Sequence, residues 1–295
     1  GMVLGYFFTK SVLLVLKYRT VPKLGLLFLS FIALFLMVRS ITALNSIRMW
    51  TGMWVLFFGS YGWIVYKKPK YIFITLFSII VHFSYIIIVF PVLFSLLLRK
   101  KKILVTGLYI ISFFFLLNLI SVESYIPENP LLEKKQQLYV DREDDGKVVT
   151  SNKKQNFYKE YGGSIYLDYS IIFLTLILLM IYFSKNADER ILFLIATGML
   201  LYATANLVGF STSFSRRTMQ VSSVFTTAAA IYVLINRNWL FPKGRLKKFA
   251  LIIGKWIFIV SSIPFFLFHL SYTINMISIF SLFLHSALLL PFLIG

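Results

Sequence analysis

The chain contains no cysteine, which excludes a disulfide framework, a thiol nucleophile and any Cys-based metal site. Acidic residues are scarce as well: 11 Asp and Glu stand against 30 Lys and Arg in 295 residues. Charged residues make up only 14% of the chain and hydrophobic ones 59%, a balance that excludes both a disordered polymer and an ordinary soluble globule. There are three histidines, and neither His-x-x-x-His nor His-Glu-x-x-His occurs, so no His-based metal motif is present. No internal repeat of fixed period and no low-complexity tract is found. What remains is a series of apolar runs separated by short basic clusters, the pattern of an all-α, polytopic transmembrane helical bundle.

A formal charge of +19 in a soluble protein would point to nucleic acid. Here Lys and Arg collect between apolar runs, and most acids fall in one stretch, 121–167. That is the positive-inside pattern, so the implied partner is the lipid bilayer and no nucleic acid is expected. The expected organisation is one integral membrane domain over residues 1–295 with a periplasmic loop, 121–167, inserted in it. Lys10 interrupts the first apolar run and no small-residue cleavage site follows, so no cleavable signal peptide is expected.

Residues 2–16 would form a helix of about 22 Å, short of the roughly 30 Å hydrocarbon layer. The first full span is expected over 24–38 and the second over 48–66, closed by Lys67, Lys68 and Lys70 around Pro69. The run 71–98 is too long for one upright helix, at about 42 Å. Clusters at Lys67–Lys70 and Arg99–Lys102 are both strongly basic, and both belong on the cytoplasmic side only if the chain crosses twice between them. The expectation is therefore a broken-helix hairpin turning at His82-Phe83-Ser84, recessed below the outer surface because each arm is short. Spans over 102–120, 168–183, 191–208, 216–235, 249–268 and 275–293 complete about ten crossings, with the C-terminus cytoplasmic.

With that topology, Arg39, Arg48, Arg216 and Arg217 lie on the outer side, against the positive-inside tendency, and His82 lies near them in depth. Arginine's planar fork suits phosphate oxygens, so an anion site is one reading. The bland alternative has each arginine capping a helix, reaching lipid phosphate or pairing with a loop acid. His82 is either a hydrogen-bonded turn residue or a base or donor at the site, since imidazole titrates near neutrality. Asp168 either reaches the cavity mouth or favours a helix N-terminus electrostatically. Trp50 either packs or stacks on a sugar. The run Asp141-Arg-Glu-Asp-Asp145 reads as a solvated loop, with a divalent-cation site as the alternative.

At these residues the sequence resembles the EpsG / Wzy-type family of bacterial polysaccharide polymerases. The motifs are Ile47-Arg48 opening a long apolar helix, the Lys-Lys-Pro-Lys break, the Val81-His82-Phe83-Ser84 turn, Arg216-Arg217 entering a late helix, and Gly5-Tyr-Phe-Phe-Thr-Lys10-Ser-Val-Leu-Leu near the start. Met49 stands where the family usually has Gln, and the family's preceding helices and outer Gly-x-Asp-x-x-x-Tyr-like loop have no counterpart, as in an N-terminally truncated member. The resemblance implies a multi-pass protein of the bacterial inner membrane that transfers undecaprenyl-pyrophosphate-linked glycan on the periplasmic face. Arg48 and His82 would be catalytic, and Arg39, Arg216, Arg217, Trp50 and Asp168 would bind substrate. It implies no cofactor and no metal, and partners among chain-length regulator and flippase proteins. A non-catalytic transporter or flippase of a lipid-linked anion, or an O-antigen ligase-like transferase, would use the same arginines.

Overall fold

The computed structural model describes residues 2–16, 47–116, 166–185, 187–209 and 212–236, together with positions 28, 31, 32, 35, 256, 260, 263 and 267. Every regular element among the described residues is helical, in line with the all-α expectation. In chain order they are α1 (Met2–Leu16), α2 (Ile47–Tyr66), α3 (Lys70–Val81), α4 (Tyr85–Leu98), α5 (Lys102–Leu116), a π-turn (Tyr166–Ser170) leading into α6 (Ile171–Tyr182), α7 (Glu189–Leu207) and α8 (Thr212–Ile235). Most of the expected loop 121–167, with its acidic run Asp141–Asp145, most of the expected spans at 24–38 and 249–268, and all of that at 275–293 lie outside the described residues.

The run 71–98 is two helices. α3 stops at His82, whose backbone is extended (φ −153°, ψ 115°) while its N–H still bonds the Ser78 carbonyl. α3 and α4 have 12 and 14 residues, about 18 and 21 Å, each short of a bilayer's hydrocarbon thickness. At the opposite end α2 terminates at Lys67 in the left-handed conformation (φ 54°), its N–H 2.9 Å from the Trp63 carbonyl, and Pro69 then leads into α3.

Antiparallel packing of α3 on α2 sets the depth of the turn. Gly59 lets the two backbones meet, since a Cβ there would lie 2.5 Å from the Thr75 nitrogen. Gly62 faces the Tyr71 ring and Gly52 the Tyr85 ring. Tyr85 is fully buried, and its hydroxyl donates to the Met49 carbonyl at 2.9 Å. With Gly52 opposite Tyr85, the turn lies about 6 Å short of Arg48 along α2, a recess of four residues.

The basic clusters come together at the other end. Glu189, opening α7, accepts from Lys67 Nζ at 2.5 Å and pairs with Lys100 Nζ at 3.3 Å and Arg99 Nη2 at 3.6 Å. Tyr182 donates to the Arg99 carbonyl at 2.9 Å, and Lys102 to the Ser184 carbonyl at 3.1 Å. The turns at 67–70, 99–102 and 183–190 thus share one end of the bundle, the arrangement charge parity requires of the hairpin.

α7 is the hub. It packs against α2, α4, α5, α6 and α8 and is buried on all sides from Ile191 to Ala203, as a helix without an amphipathic stripe must be. Small residues and hydroxyls set its neighbours close: Ser222 Oγ donates to the Gly198 carbonyl at 2.7 Å, and Ser95 Oγ lies 2.6 Å from Thr197 Oγ1. Asp188 caps it, accepting from the Arg190 and Ile191 amides at 3.1 and 3.0 Å.

The outer faces of α3, α4 and α5 are apolar and bare: Phe73, Ile80, Phe90, Leu97 and Ile103 are each 70–82% exposed. Apolar surface of that extent marks contact with lipid or protein. Two helices, Glu189–Leu207 and Phe214–Ile235, are long and apolar enough to cross a membrane by length and composition.

Candidate functional site

The N-termini of α2, α4 and α8 lie toward the end of the bundle opposite Glu189, with Arg217 of α8 in electrostatic reach of Tyr85, which opens α4. Each carries the positive pole of a helix dipole, and none has an acidic residue in its first turn. Cations sit there all the same. Arg48 is the second residue of α2, and Arg216 and Arg217 lie in the second turn of α8. The macrodipole disfavours a cation at Arg48, in the first turn, so helix stability does not account for it; at Arg216 and Arg217, one turn further in, the effect has fallen off.

The structure brings Arg48 and Arg217 within electrostatic reach of His82, three residues drawn from α2, the hairpin turn and α8. His82 and Arg217 are half-buried and Arg48 is exposed, so the group opens to its surroundings. Burial, then Arg217, then Arg48 hold the His82 imidazole below its ordinary value, all three opposing a further positive charge. His82 lies in the turn between the two helices.

Ser84 defines what that imidazole can do. It stands at the N-cap of α4 without capping it; its hydroxyl lies 2.7 Å from His82 Nδ1 instead. The first amides of α4 are taken by turn carbonyls, Tyr85 N to His82 O at 2.9 Å and Ile86 N to Phe83 O at 3.1 Å. If Ser84 accepts from Nδ1, Nε2 is a base; if Ser84 donates, Nε2–H is a donor for an anion. One serine hydroxyl therefore selects between the two chemical roles.

Arg216 goes elsewhere. It acts electrostatically on Asp168, in the π-turn before α6, and both act on Tyr202 of α7. Tyr202 donates to the Leu167 carbonyl at 3.2 Å and lies against the Tyr109 ring at 5.9 Å. Asn206 Nδ2 donates to Ser112 Oγ at 3.0 Å one turn further along α7. Asp168 and Arg216 thus form a second, charge-balanced group on the far side of the α8 N-terminus. Trp50 is 4% exposed and belongs to the core, where no ring face is open to a sugar. Arg39 lies outside the described residues. Tyr85 and Ser84, which position the turn, carry no distinguishing signal in the sequence beyond their place beside His82.

Among the described residues no group of three or more His, Asp or Glu is placed to hold a metal ion. No family model matches the chain, and no curated protein or solved structure matches it.

Proposed function

We propose that this protein is a membrane glycosyltransferase that polymerises undecaprenyl-pyrophosphate-linked oligosaccharide units on the outer face of the bacterial inner membrane, in the manner of the EpsG / Wzy-type polymerases its motifs resemble. On this reading the chain crosses the membrane about ten times, the Glu189 end faces the cytoplasm, and the hairpin turn faces the periplasm. The observation that supports it best is the convergence of Arg48 and Arg217 on His82 in a recessed turn, beside helix N-termini whose first turns carry no acid.

That locus suits a diphosphate. As the glycan leaves its carrier, the bond between its anomeric carbon and the pyrophosphate oxygen breaks. Negative charge gathers on the pyrophosphate, where fixed guanidinium groups stabilise it. The acceptor hydroxyl forms the new bond and gives up its proton, and neutral His82 is poised to receive it through Nε2. The apolar faces of α3 and α4 give the polyprenyl tail a surface beside the turn.

The test is reconstitution. Vesicles supplied with a lipid-linked repeat unit yield a ladder of longer glycans with the native protein and none with Arg48→Ala; an unchanged ladder removes Arg48 from the site. The two short helices meeting at a recessed turn also fit a transporter of the same lipid-linked anion. In that case the vesicles move the unit across the bilayer without lengthening it.

A further inference from the structure

The basic end of the bundle gathers a cluster of cations whose reading does not depend on glycosyl transfer. Segments 67–70, 99–102 and 185–190 carry nine cations and two acids. Both acids are engaged. Glu189 is shared by Lys67, Arg99 and Lys100, and Asp188 caps α7 and accepts from the Tyr232 hydroxyl. Because Glu189 draws the three turns together, the remaining charge is gathered on one surface. Lys68, Lys101 and Lys185 are exposed and form no ion pair among the described residues.

The chemistry beside those lysines is apolar. Leu97 and Ile103 flank the 99–102 turn at 77% and 82% exposure, and Phe73 follows Lys70 by three residues at 70%. A row of ammonium groups bordering bare aliphatic and aromatic side chains matches an anionic phosphate bonded to acyl chains. A free phosphate would use the lysines and leave the apolar border uncovered.

We infer that the surface formed by Lys68, Lys101 and Lys185, bordered by Phe73, Leu97 and Ile103, binds the headgroup of an anionic diacyl phospholipid of the adjoining leaflet. The phosphate sits among the lysines and the acyl chains lie along the exposed faces of α3 and α4. Juxtamembrane lysines each strengthen such binding, so three suffice for preference over a zwitterionic lipid.

The purified full chain is compared in detergent with phosphatidylglycerol, with phosphatidylcholine of the same acyl chains, and with inorganic phosphate. Retained lipid is read by native mass spectrometry and unfolding by thermal shift. Phosphatidylglycerol is expected to be retained preferentially and to raise the midpoint, with inorganic phosphate alone giving neither effect. In K68A/K101A/K185A the preference falls about tenfold or more, while K68R/K101R/K185R keeps it. Equal retention of the two lipids by the native chain overturns the proposal, whether or not the alanine variant folds. An undiminished preference in a folded alanine variant also overturns it. A midpoint rise with inorganic phosphate equal to that with phosphatidylglycerol makes this a soluble-anion site and overturns the lipid assignment.

Discussion

Tyr85 opens α4 with its ring buried against Gly52 and its hydroxyl on the carbonyl of Met49, 36 residues earlier. That contact ties the hairpin turn to the first turn of α2, and so ties His82 to Arg48. Tyr85→Phe removes the hydrogen bond and costs about 1 kcal/mol. Tyr85→Ala empties a fully buried aromatic site and costs about 3–5 kcal/mol. Thermal unfolding in detergent reads both. On the proposed function Tyr85→Phe, though folded, is also expected to shorten the glycan ladder, because the hydroxyl no longer holds the turn to the Met49 carbonyl.

Gly59→Ala is the most damaging of the α2 glycine substitutions. Its Cβ would meet the Thr75 backbone nitrogen at 2.5 Å, and a backbone atom in a helix has nowhere to go. Gly52→Ala meets only the Tyr85 ring, at 3.0 Å, which gives way at smaller cost. Gly59→Ala is expected to cost about 3 kcal/mol or more and Gly52→Ala about 1–2 kcal/mol, within the range for overpacked interiors. Equal midpoints for the two variants would show that α2 and α3 are not in backbone contact at residue 59.

On the proposed function, activity as well as stability is expected to follow the titration of His82. Its folded-state value lies below the ordinary 6.5, so on acidification the unfolded chain takes up the proton first. The stability associated with neutral His82 is present in full above pH 6.5 and is lost as pH falls from there through the folded-state value. A bound diphosphate reverses the local field and raises the imidazole, so binding is accompanied by proton uptake near and below pH 6.5. Calorimetry of pyrophosphate binding in buffers of different ionisation enthalpy measures that uptake. Arg217→Ala is expected to reduce it and to move the acid limb of activity upward.

The two adjacent arginines are expected to separate functionally. Arg217→Ala raises the His82 titration midpoint, whereas Arg216→Ala leaves it in place, as read by imidazole NMR. Asp168→Asn and Arg216→Ala should instead couple to each other in a double-mutant cycle, by about 0.5–1 kcal/mol for a partly exposed pair. Identical shifts of His82 in the two arginine variants would dissolve the distinction.

Much of this arrangement is legible in the residues. The break at His82 follows from basic clusters on both sides of a run too long for one upright helix, and Glu189 joining Lys67 to Lys100 is the physical form of that parity. The divergence of Arg216 from Arg217 is legible too, though easily read past. Consecutive helical residues lie 100° apart and do not share a face, so a double arginine serves two neighbourhoods. The central place of α7 is not legible from hydropathy, since a run such as Ile191–Ala203 scores alike facing lipid or protein. The better cue is its Thr197-Gly198 pair and Asn206, small and polar groups that membrane helices turn toward one another. The burial of Trp50 was hidden for a related reason: a tryptophan near a helix start fits an interfacial belt and a packed core equally well.

The shortness of α3 and α4 reaches beyond the protein. Arms of about 18 and 21 Å leave roughly 10 Å of hydrocarbon unmatched beside the turn. On the proposed topology and function the adjoining leaflet dimples there, drawing its headgroups down toward His82 and sparing a lipid-linked substrate part of the climb. On that reading the surrounding membrane forms one wall of the proposed site, and its thickness becomes a variable of the site's geometry.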